Sequence, residues 1–333
     1  MFRKALDFYT KWFAIWVIIC GIIAYIRPEI FIAVEAKTTW FFYVTIERFL
    51  PKALRLGKGM DWFFALTMFG IGAILQIDDF KQIIRKPTIV LIGSSAQFII
   101  MPLGAFVLSK IFHLPPEIAV GLILTGAAPG AMASNVMSYI AKADTAYSVS
   151  LTTVSTLACP LFTPGLTLLL AGSMLEVPFW NMFIYVCLTV VFPLFIGFGV
   201  RHFLGKQIQR ILPIFPAISV TFIIFICSYV IAVNKANLAK VTGIILLAGI
   251  ILNIYGLLSG FGVASAFRMN YRRRRTLTIE IGMQNAGLGS MLALKHFGNQ
   301  AAIPAAIFVF ICIITASAMA AVWQRIPLPE SAD

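Results

Sequence analysis

Residues 276–290, TLTIEIGMQNAGLGS, decide how this chain is organised. The stretch lies between long apolar runs and carries a carboxylate, two side-chain amides and three glycines. An ionised carboxylate at membrane depth is costly and usually marks a functional site, so Glu280 is the residue of greatest interest. Glycine weakens a regular helix, and Gln284 and Asn285 offer donors and acceptors where the helix would break. We therefore predict an interrupted helix beside Glu280.

A second interrupted stretch occurs earlier, at residues 125–139, TGAAPGAMASNVMSY. Pro129 has no amide proton and clashes with the preceding turn, so a helix should end near it. A new helix would carry Ser134 and Asn135 in its first turns, with free N–H groups that attract an anion. Two broken apolar segments at matching places in two halves of a chain indicate a transport site at the bilayer midplane. The alternative is a proline kink without a ligand, which membrane helices tolerate.

The composition indicates an integral helical membrane protein. Of the 333 residues, 60% are hydrophobic and 12% are charged, whereas a soluble domain carries about 25% charged residues. The formal net charge of +13 does not indicate nucleic acid binding, because the basic residues lie at the ends of apolar runs, where cytoplasmic loops collect Lys and Arg. The five cysteines lie inside apolar runs and lack metal-ligand spacing.

Ten apolar segments approach the roughly 20 residues that cross a bilayer. The first five and the last five form two halves, and the fourth segment of each half is the broken one. Because five is odd, the second half must cross in the opposite sense, which predicts an inverted repeat. The connections are short, so we expect residues 1–333 to form a single integral membrane unit. The ten segments lie near residues 12–33, 60–77, 87–112, 117–141, 145–171, 179–203, 213–233, 241–266, 277–297 and 300–324.

Ten spans place both termini on the same side of the membrane. With the termini in the cytoplasm, 16 of the 26 Lys and Arg residues lie on the inner side and 10 on the outer side, as the positive-inside rule requires. We therefore expect a multi-pass protein of the cell inner membrane or plasma membrane with both termini cytoplasmic. The basic run at 272–275 would anchor the chain at anionic headgroups. Residues 34–59 form either an amphipathic interfacial helix or a loop with aromatic anchors.

The span after the first break supplies hydroxyl groups. Ser148 and Thr152 are four residues apart and share a helix face, and hydroxyl oxygens suit a hard cation such as sodium. Ser and Thr also serve helix–helix contacts in membranes, but their combination with Asn135 and Glu280 favours a cation site. Gln97, inside the third span, is either a cation ligand or an interhelical hydrogen-bond partner.

No catalytic motif accompanies these groups. The three histidines lie near span ends and are not clustered, and the sequence shows no catalytic triad, phosphate loop or zinc motif. Asp144 should cap the fifth span. We therefore expect a transporter rather than an enzyme, with no catalytic residue. A channel or a receptor stays open as an alternative, although a channel would not need two broken helices around a carboxylate.

Four motifs resemble the bile acid:sodium symporter family in its bacterial branch, and the resemblance extends from about residue 60 to residue 324. The motifs are MFGIGAILQIDDF (68–80), AQFIIMPLGAF (96–106), GAAPGAMASNVMSYIAKADTAYSVSLTTVSTLACPLFTP (126–164) and TLTIEIGMQNAGLGSMLALKHF (276–297).

The resemblance implies an all-α fold of ten transmembrane helices in two inverted five-helix repeats. Spans 4 and 9 would be broken and would cross. A panel domain would comprise approximately residues 12–77 and 179–233, and a core domain approximately residues 87–171 and 241–324.

The resemblance also implies two sodium sites at the crossing. By motif position the first would use Ser134, Asn135, Ser148, Thr152 and Glu280. The second would use Gln97, Glu280 and Gln284, with backbone carbonyls near Ile281 and Met283. The substrate would lie beside the breaks, at Ala131, Met132, Asn285 and Ala286.

Two positions depart from the family pattern, in which Ala131 is often glycine and Ala286 is often serine, so the resemblance leaves the substrate open. The segment 34–59 is also longer than the bacterial branch leads us to expect.

We expect a sodium-coupled symporter of an organic anion, bile-acid-like or a small carboxylate such as pantoate, working by alternating access. Its partners would be the anion, sodium ions and membrane lipids, without nucleic acid, and a monomer would suffice. The alternative is a proton-coupled organic anion transporter in which Glu280 relays protons.

Overall fold

The computed structural model describes residues 6, 9–10, 12–51, 54–205 and 207–326 of the chain. The described part is almost entirely helical and contains no β-strand. Short 3₁₀ turns occur at Glu47–Phe49, Ile208–Arg210 and Gln300–Ala302. The helices in chain order are α1 (Phe13–Ile26), α2 (Pro28–Thr45), α3 (Gly59–Ile74), α4 (Ile77–Arg85), α5 (Pro87–Ile111), α6 (Pro116–Ala127), α7 (Ala133–Ile140), α8 (Thr145–Ala171), α9 (Phe179–Leu204), α10 (Ile214–Val233), α11 (Lys235–Ala266), α12 (Tyr271–Gly282), α13 (Ala286–His296) and α14 (Ile303–Arg325).

Within the described ranges, six helices are long and apolar enough to cross a membrane, and the number is up to eight if each of two bent helix pairs is one span. The prediction of an all-helical membrane protein is confirmed, while the count of ten spans and the inverted repeat stay predictions. Both termini lie outside the described residues, as do five basic residues of the orientation argument, namely Arg3, Lys4, Lys11, Lys52 and Lys206.

Several helix starts follow directly from the sequence. Proline occupies the first or second position of α2, α5, α6 and α14, where its missing N–H has no intrahelical partner to lose. At α8 the Asp144 side chain accepts a hydrogen bond from Tyr147 N at 3.0 Å, so the predicted N-cap is confirmed.

The chain groups into two compact units. Unit 1 comprises Met1–Gln76 and Trp180–Leu238, and unit 2 comprises Ile77–Phe179 and Ala239–Asp333. All predicted site residues belong to unit 2.

In unit 1, helices α3 and α9 touch along their backbones. A Cβ atom added at Gly72 would overlap the carbonyl of Leu194, and one added at Gly197 would overlap the carbonyl of Phe69. Glycine at these positions permits the close approach of the two helices. In a membrane there is no hydrophobic driving force between helices, so van der Waals contact of this kind stabilises their packing.

The segment around residues 34–59 also lies in unit 1. It is helical through Thr45 as part of α2, bent by 104° from α1, and α2 has no buried residue. This outcome favours a helix over the loop for residues 34–45, while its amphipathic, interfacial character stays a prediction. Two hydrogen bonds tie the segment to α3, from Gly59 N to Thr39 Oγ1 at 2.7 Å and from Trp62 Nε1 to Glu47 Oε1 at 2.7 Å.

Unit 2 contains the two interrupted helices as α6 and α7 and as α12 and α13. Each pair contacts both α8 and α14. Helix α6 is buried along nearly its whole length. The two interruptions are therefore held inside unit 2 by continuous helices on their flanks.

Candidate functional site

The first helix break follows from Pro129. Helix α6 ends at Ala127, and Ala128 is extended with φ −67° and ψ 152°, the conformation that a following proline imposes. Helix α7 begins at Ala133, so residues 128–132 form a short non-helical connection.

The second break lies between α12 and α13. Helix α12 ends at Gly282, and Met283 is extended with φ −113° and ψ 105°. Helix α13 then starts behind Asn285, whose Oδ1 accepts a hydrogen bond from Leu288 N at 3.1 Å. Only residues 283–285 separate the two helices.

The two breaks contact each other through their backbones. Ala131 N donates to Met283 O at 3.0 Å, and Asn285 N donates to Pro129 O at 2.8 Å. Gly130 and Gln284 thereby form an isolated antiparallel bridge. Non-helical backbone at membrane depth needs such internal partners, because lipid offers none. At the crossing, backbone polar groups of each break therefore form hydrogen bonds with backbone polar groups of the other.

The Glu280 carboxylate lies beside this crossing and is 2% exposed. Its Oε2 atom lies 2.6 Å from Ser134 Oγ and 2.9 Å from Ser148 Oγ, while Oε1 lies 2.6 Å from Thr152 Oγ1. Asn135 completes the group, since its Oδ1 lies 3.3 Å from Thr152 Oγ1. The structure brings together all five side chains predicted for the first sodium site.

Two of these hydroxyls have a choice of acceptor. Ser134 Oγ also lies 2.6 Å from Ala131 O, and Thr152 Oγ1 lies 2.9 Å from Ser148 O. A hydroxyl has one proton and two lone pairs. Each can therefore donate to the carboxylate, or donate to the backbone and offer its lone pairs to a cation.

The residues predicted for the second sodium site form a neighbouring group. Gln97 Nε2 donates to Gln284 Oε1 at 2.5 Å, and Gln284 Nε2 donates to Ile281 O at 3.0 Å. Met283 O accepts from Ala131 N across the crossing. The Oε1 atom of Gln97 is buried and has no hydrogen-bond partner among the described residues. An unpartnered acceptor is costly in such a place.

The four residues predicted to touch the substrate flank the breaks. Ala131, Met132 and Asn285 are partly exposed, whereas Ala286 is buried. Met132 and Asn285 immediately precede the N-termini of α7 and α13. The side-chain oxygen of Asn285 caps α13.

Gly130 has a steric role at this site. A Cβ atom added there would overlap Oε1 of Glu280, and its amide N lies 3.3 Å from Ser155 Oγ. Glycine at this position therefore lets the crossing approach the carboxylate. The Pro-Gly pair in the sequence signalled the break but not this contact.

Asn253 of α11 belongs to no motif in the sequence, and its contact could not be predicted. Its Nδ2 donates to Gly282 O, the last carbonyl of α12, at 2.9 Å. The available signal was a single side-chain amide in the apolar run at 242–266, since polar groups at membrane depth tend to be functional.

The headgroup-anchor interpretation of residues 272–275 is wrong for Arg275, which is 7% exposed. Its guanidinium donates to Ala141 O at 2.9 Å, to Trp323 O at 3.1 Å and to Ile326 O at 3.3 Å. The carbonyls at helix C-termini lack intrahelical partners. The multiple donors of arginine satisfy those of α7 and α14 together.

The donor set around Glu280 suits sodium. It contains one carboxylate, three hydroxyls and amide and backbone oxygens, without nitrogen or sulfur ligands, and hard cations select such oxygen ligands. Among the described residues no group of three or more His, Cys, Asp or Glu side chains could hold a metal ion.

Several known proteins are similar in sequence to this chain. Residues 62–241 match the profile of the sodium bile acid symporter family. The chain belongs to this family. A Bacillus subtilis protein named as an uncharacterized sodium-dependent transporter, YocS, is 40% identical over 97% of this chain and 94% of its own length.

Two eukaryotic relatives extend the comparison. The Arabidopsis thaliana protein named probable sodium/metabolite cotransporter BASS1, chloroplastic, is 34% identical over 78% of this chain and 65% of its own length. A human protein named P3 protein is 31% identical over 67% of this chain and 47% of its own length. The Bacillus and Arabidopsis relatives are thus named as a sodium-dependent transporter and a cotransporter, which are not enzymes. The several apolar helices of this family member are in line with a multi-pass membrane protein.

Proposed function

We propose that this chain is a sodium-coupled symporter of an organic anion. The observation that carries the proposal is the Glu280 carboxylate, which is buried and contacts three hydroxyls beside two crossed helix breaks. Glu280 lies two residues before the end of α12, where the helix dipole disfavours a negative charge. A buried carboxylate in this position is stabilised by a bound cation.

The first sodium ion would bind among Ser134, Asn135, Ser148, Thr152 and Glu280. On sodium binding, the Ser134 and Thr152 hydroxyls would donate to their backbone acceptors and direct their lone pairs to the ion. The backbone acceptors are already within 2.6 Å and 2.9 Å, so the change needs only rotation of the O–H bonds. Potassium, which is larger, would fit such a compact group less well.

The second sodium ion would bind Gln97, Glu280 and Gln284, together with the carbonyls of Ile281 and Met283. The unpartnered Oε1 of Gln97 is an acceptor that such an ion would satisfy. The end of α12 supplies carbonyls that no helical N–H can reach. Unwound carbonyls coordinate sodium in transporters with broken helices.

The organic anion would bind near Ala131, Met132, Asn285 and Ala286, where α7 and α13 begin. One carboxylate and two sodium ions leave about one positive charge, and the helix N-termini add to it. Sodium binding would thus prepare the anion site, which is coupling through differential affinity. Each net charge moved through the membrane gains about 2.3 kcal/mol per 100 mV.

For the substrate we favour a small carboxylate such as pantoate over a bile-acid-like anion. The name of the Arabidopsis relative describes cotransport of sodium with a metabolite, whereas the family is named after bile acids. At two positions beside the breaks, where the family often has glycine and serine, this chain has Ala131 and Ala286. Titration with a panel of anions identifies the substrate.

We further propose ten spans in two inverted repeats, with unit 1 as the panel domain and unit 2 as the core domain. The units would move relative to one another during transport, giving access to each side of the membrane in turn. The protein would work as a monomer in the inner membrane or plasma membrane, with both termini in the cytoplasm.

The test is calorimetric titration of the purified protein with a panel of organic anions, first in sodium and then in potassium at equal ionic strength. We expect one class of anion to bind in sodium only, and this binding to disappear in Glu280→Ala. Anion binding that ignores sodium but requires a particular pH would refute the symport mechanism and favour the proton-coupled alternative.

A further inference from the structure

Asn253 is a buried polar residue in an otherwise apolar helix. It is 0% exposed, and residues 242–266 around it contain no charged residue and no other side-chain amide. Its Nδ2 donates to Gly282 O at 2.9 Å, while its Oδ1 is buried without a hydrogen-bond partner in the described part of the chain. A leucine would fill similar space without an unpaired acceptor. The residue is therefore difficult to explain by packing alone.

The face of α11 that carries Asn253 lies directly against α12. Gly256 and Gly260 follow Asn253 by three and seven residues and so share its face. A Cβ atom at Gly256 would lie 3.0 Å from Ile281 O, and one at Gly260 would lie 2.6 Å from Leu277 O. Small residues bring the two backbones together, and Asn253 meets α12 where that helix ends.

Side-chain amides satisfy two of the last carbonyls of α12. Gln284 Nε2 donates to Ile281 O, and Asn253 Nδ2 donates to Gly282 O. Without Asn253 the Gly282 carbonyl would lack this partner in an apolar, buried setting, where an unpaired carbonyl favours reorientation of its peptide. Ile281 and Met283 stand on either side of Gly282, so a change in this peptide also moves their carbonyls.

We propose that Asn253 is a positioning residue for the second sodium ion. It acts through Gly282 by holding the end of α12 in the geometry that presents the Ile281 and Met283 carbonyls. This inference rests on the proposed function, because it assumes that sodium binds beside Glu280. The first sodium group takes its hydroxyls and its amide from α7 and α8 and shares Glu280 of α12 with the second, and no hydrogen bond joins Asn253 to it among the described residues.

The test uses the full chain in detergent and measures the melting temperature as a function of sodium concentration, with potassium keeping the ionic strength constant. Asn253→Leu keeps the side-chain volume and removes the amide, and Asn253→Ala serves if the leucine variant does not fold. Leu252→Ala is the matched control, because Leu252 is the buried neighbour on the same helix. It should lower the melting temperature without sodium and leave the sodium dependence unchanged.

We expect Asn253→Leu to raise the sodium concentration for half-maximal stabilisation by about tenfold, the loss of one well-placed hydrogen bond. The steepness of the sodium dependence should also fall toward that of a single site. A midpoint within twofold of wild type, with unchanged steepness, would overturn the inference and leave the proposed function standing. Absence of any sodium response in the wild type would instead remove the proposed function, and this inference with it.

Discussion

Asp61 and Glu280 are both buried carboxylates, 1% and 2% exposed, yet their surroundings differ. Asp61 is the third residue of α3, in the first turn, and accepts a hydrogen bond from Tyr185 Oη at 2.7 Å. Glu280 lies at the other end of its helix, beside three hydroxyls. A helix N-terminus stabilises a carboxylate and a C-terminus does not. Asp61 is stabilised within the fold, whereas we propose that a bound cation stabilises Glu280.

Neutralising each carboxylate in turn tests the difference between Glu280 and Asp61 most directly. We expect Glu280→Gln to abolish the stabilisation of the purified protein by sodium, because removing the charge removes the main attraction for the cations. Asp61→Asn should lower the melting temperature yet keep the sodium response. Sodium titrations monitored by thermal unfolding measure both. Equal loss of the sodium response in the two variants would show that the contrast is false.

Gly130→Ala tests whether close packing against Glu280 is needed for sodium binding. The new methyl group would overlap Glu280 Oε1, and the strain of such overpacking should weaken sodium binding by about 30-fold. The matched control is Gly262→Ala in α11, where an added Cβ meets nothing within 4 Å. If both variants bind sodium as the wild type does, close approach of the crossing to Glu280 is unimportant.

Thr152→Val replaces one hydroxyl by a methyl group of similar size. Because Thr152 Oγ1 lies 2.6 Å from Glu280, we expect sodium affinity to fall about tenfold. Thr153→Val is the control on the same helix, since Thr153 Oγ1 is buried but has no hydrogen-bond partner among the described residues. A larger loss in the Thr153 variant than in the Thr152 variant would contradict the assignment of ligands.

The smallest effect on sodium binding should come from Tyr185→Phe. This change leaves Asp61 without its phenol donor and should lower the free energy of unfolding by about 1.5–3 kcal/mol. Sodium affinity should stay within about twofold of wild type, because Asp61 and Tyr185 belong to unit 1 and the predicted sodium ligands to unit 2. Denaturation with and without sodium separates the two quantities, and a marked loss of sodium affinity would assign Asp61 a role in ion binding.

Local sequence signals predicted much of the candidate site. Pro129 and Gly282 mark helix ends because they impose or permit non-helical backbone. Ser148 and Thr152 share a face by helical periodicity, and both contact Glu280 as expected.

These local signals could not predict contacts between segments that are far apart in sequence. The bond between Tyr185 and Asp61, the amide of Asn253 at Gly282 and the burial of Arg275 each join segments that are far apart in sequence. Side-chain periodicity describes one helix at a time, so it cannot specify which helices meet. The same limit explains why the basic run 272–275 suggested headgroup contact, although Arg275 binds helix-end carbonyls inside unit 2.

The most direct test of the central claim is equilibrium binding of radioactive sodium to the purified wild-type protein and to Glu280→Gln, with potassium as the background salt. The account predicts saturable binding of about two sodium ions per chain, from the two oxygen groups that share Glu280, and loss of this binding in the variant. Sodium binding that stays unchanged in Glu280→Gln, or that potassium displaces equally well, would contradict it.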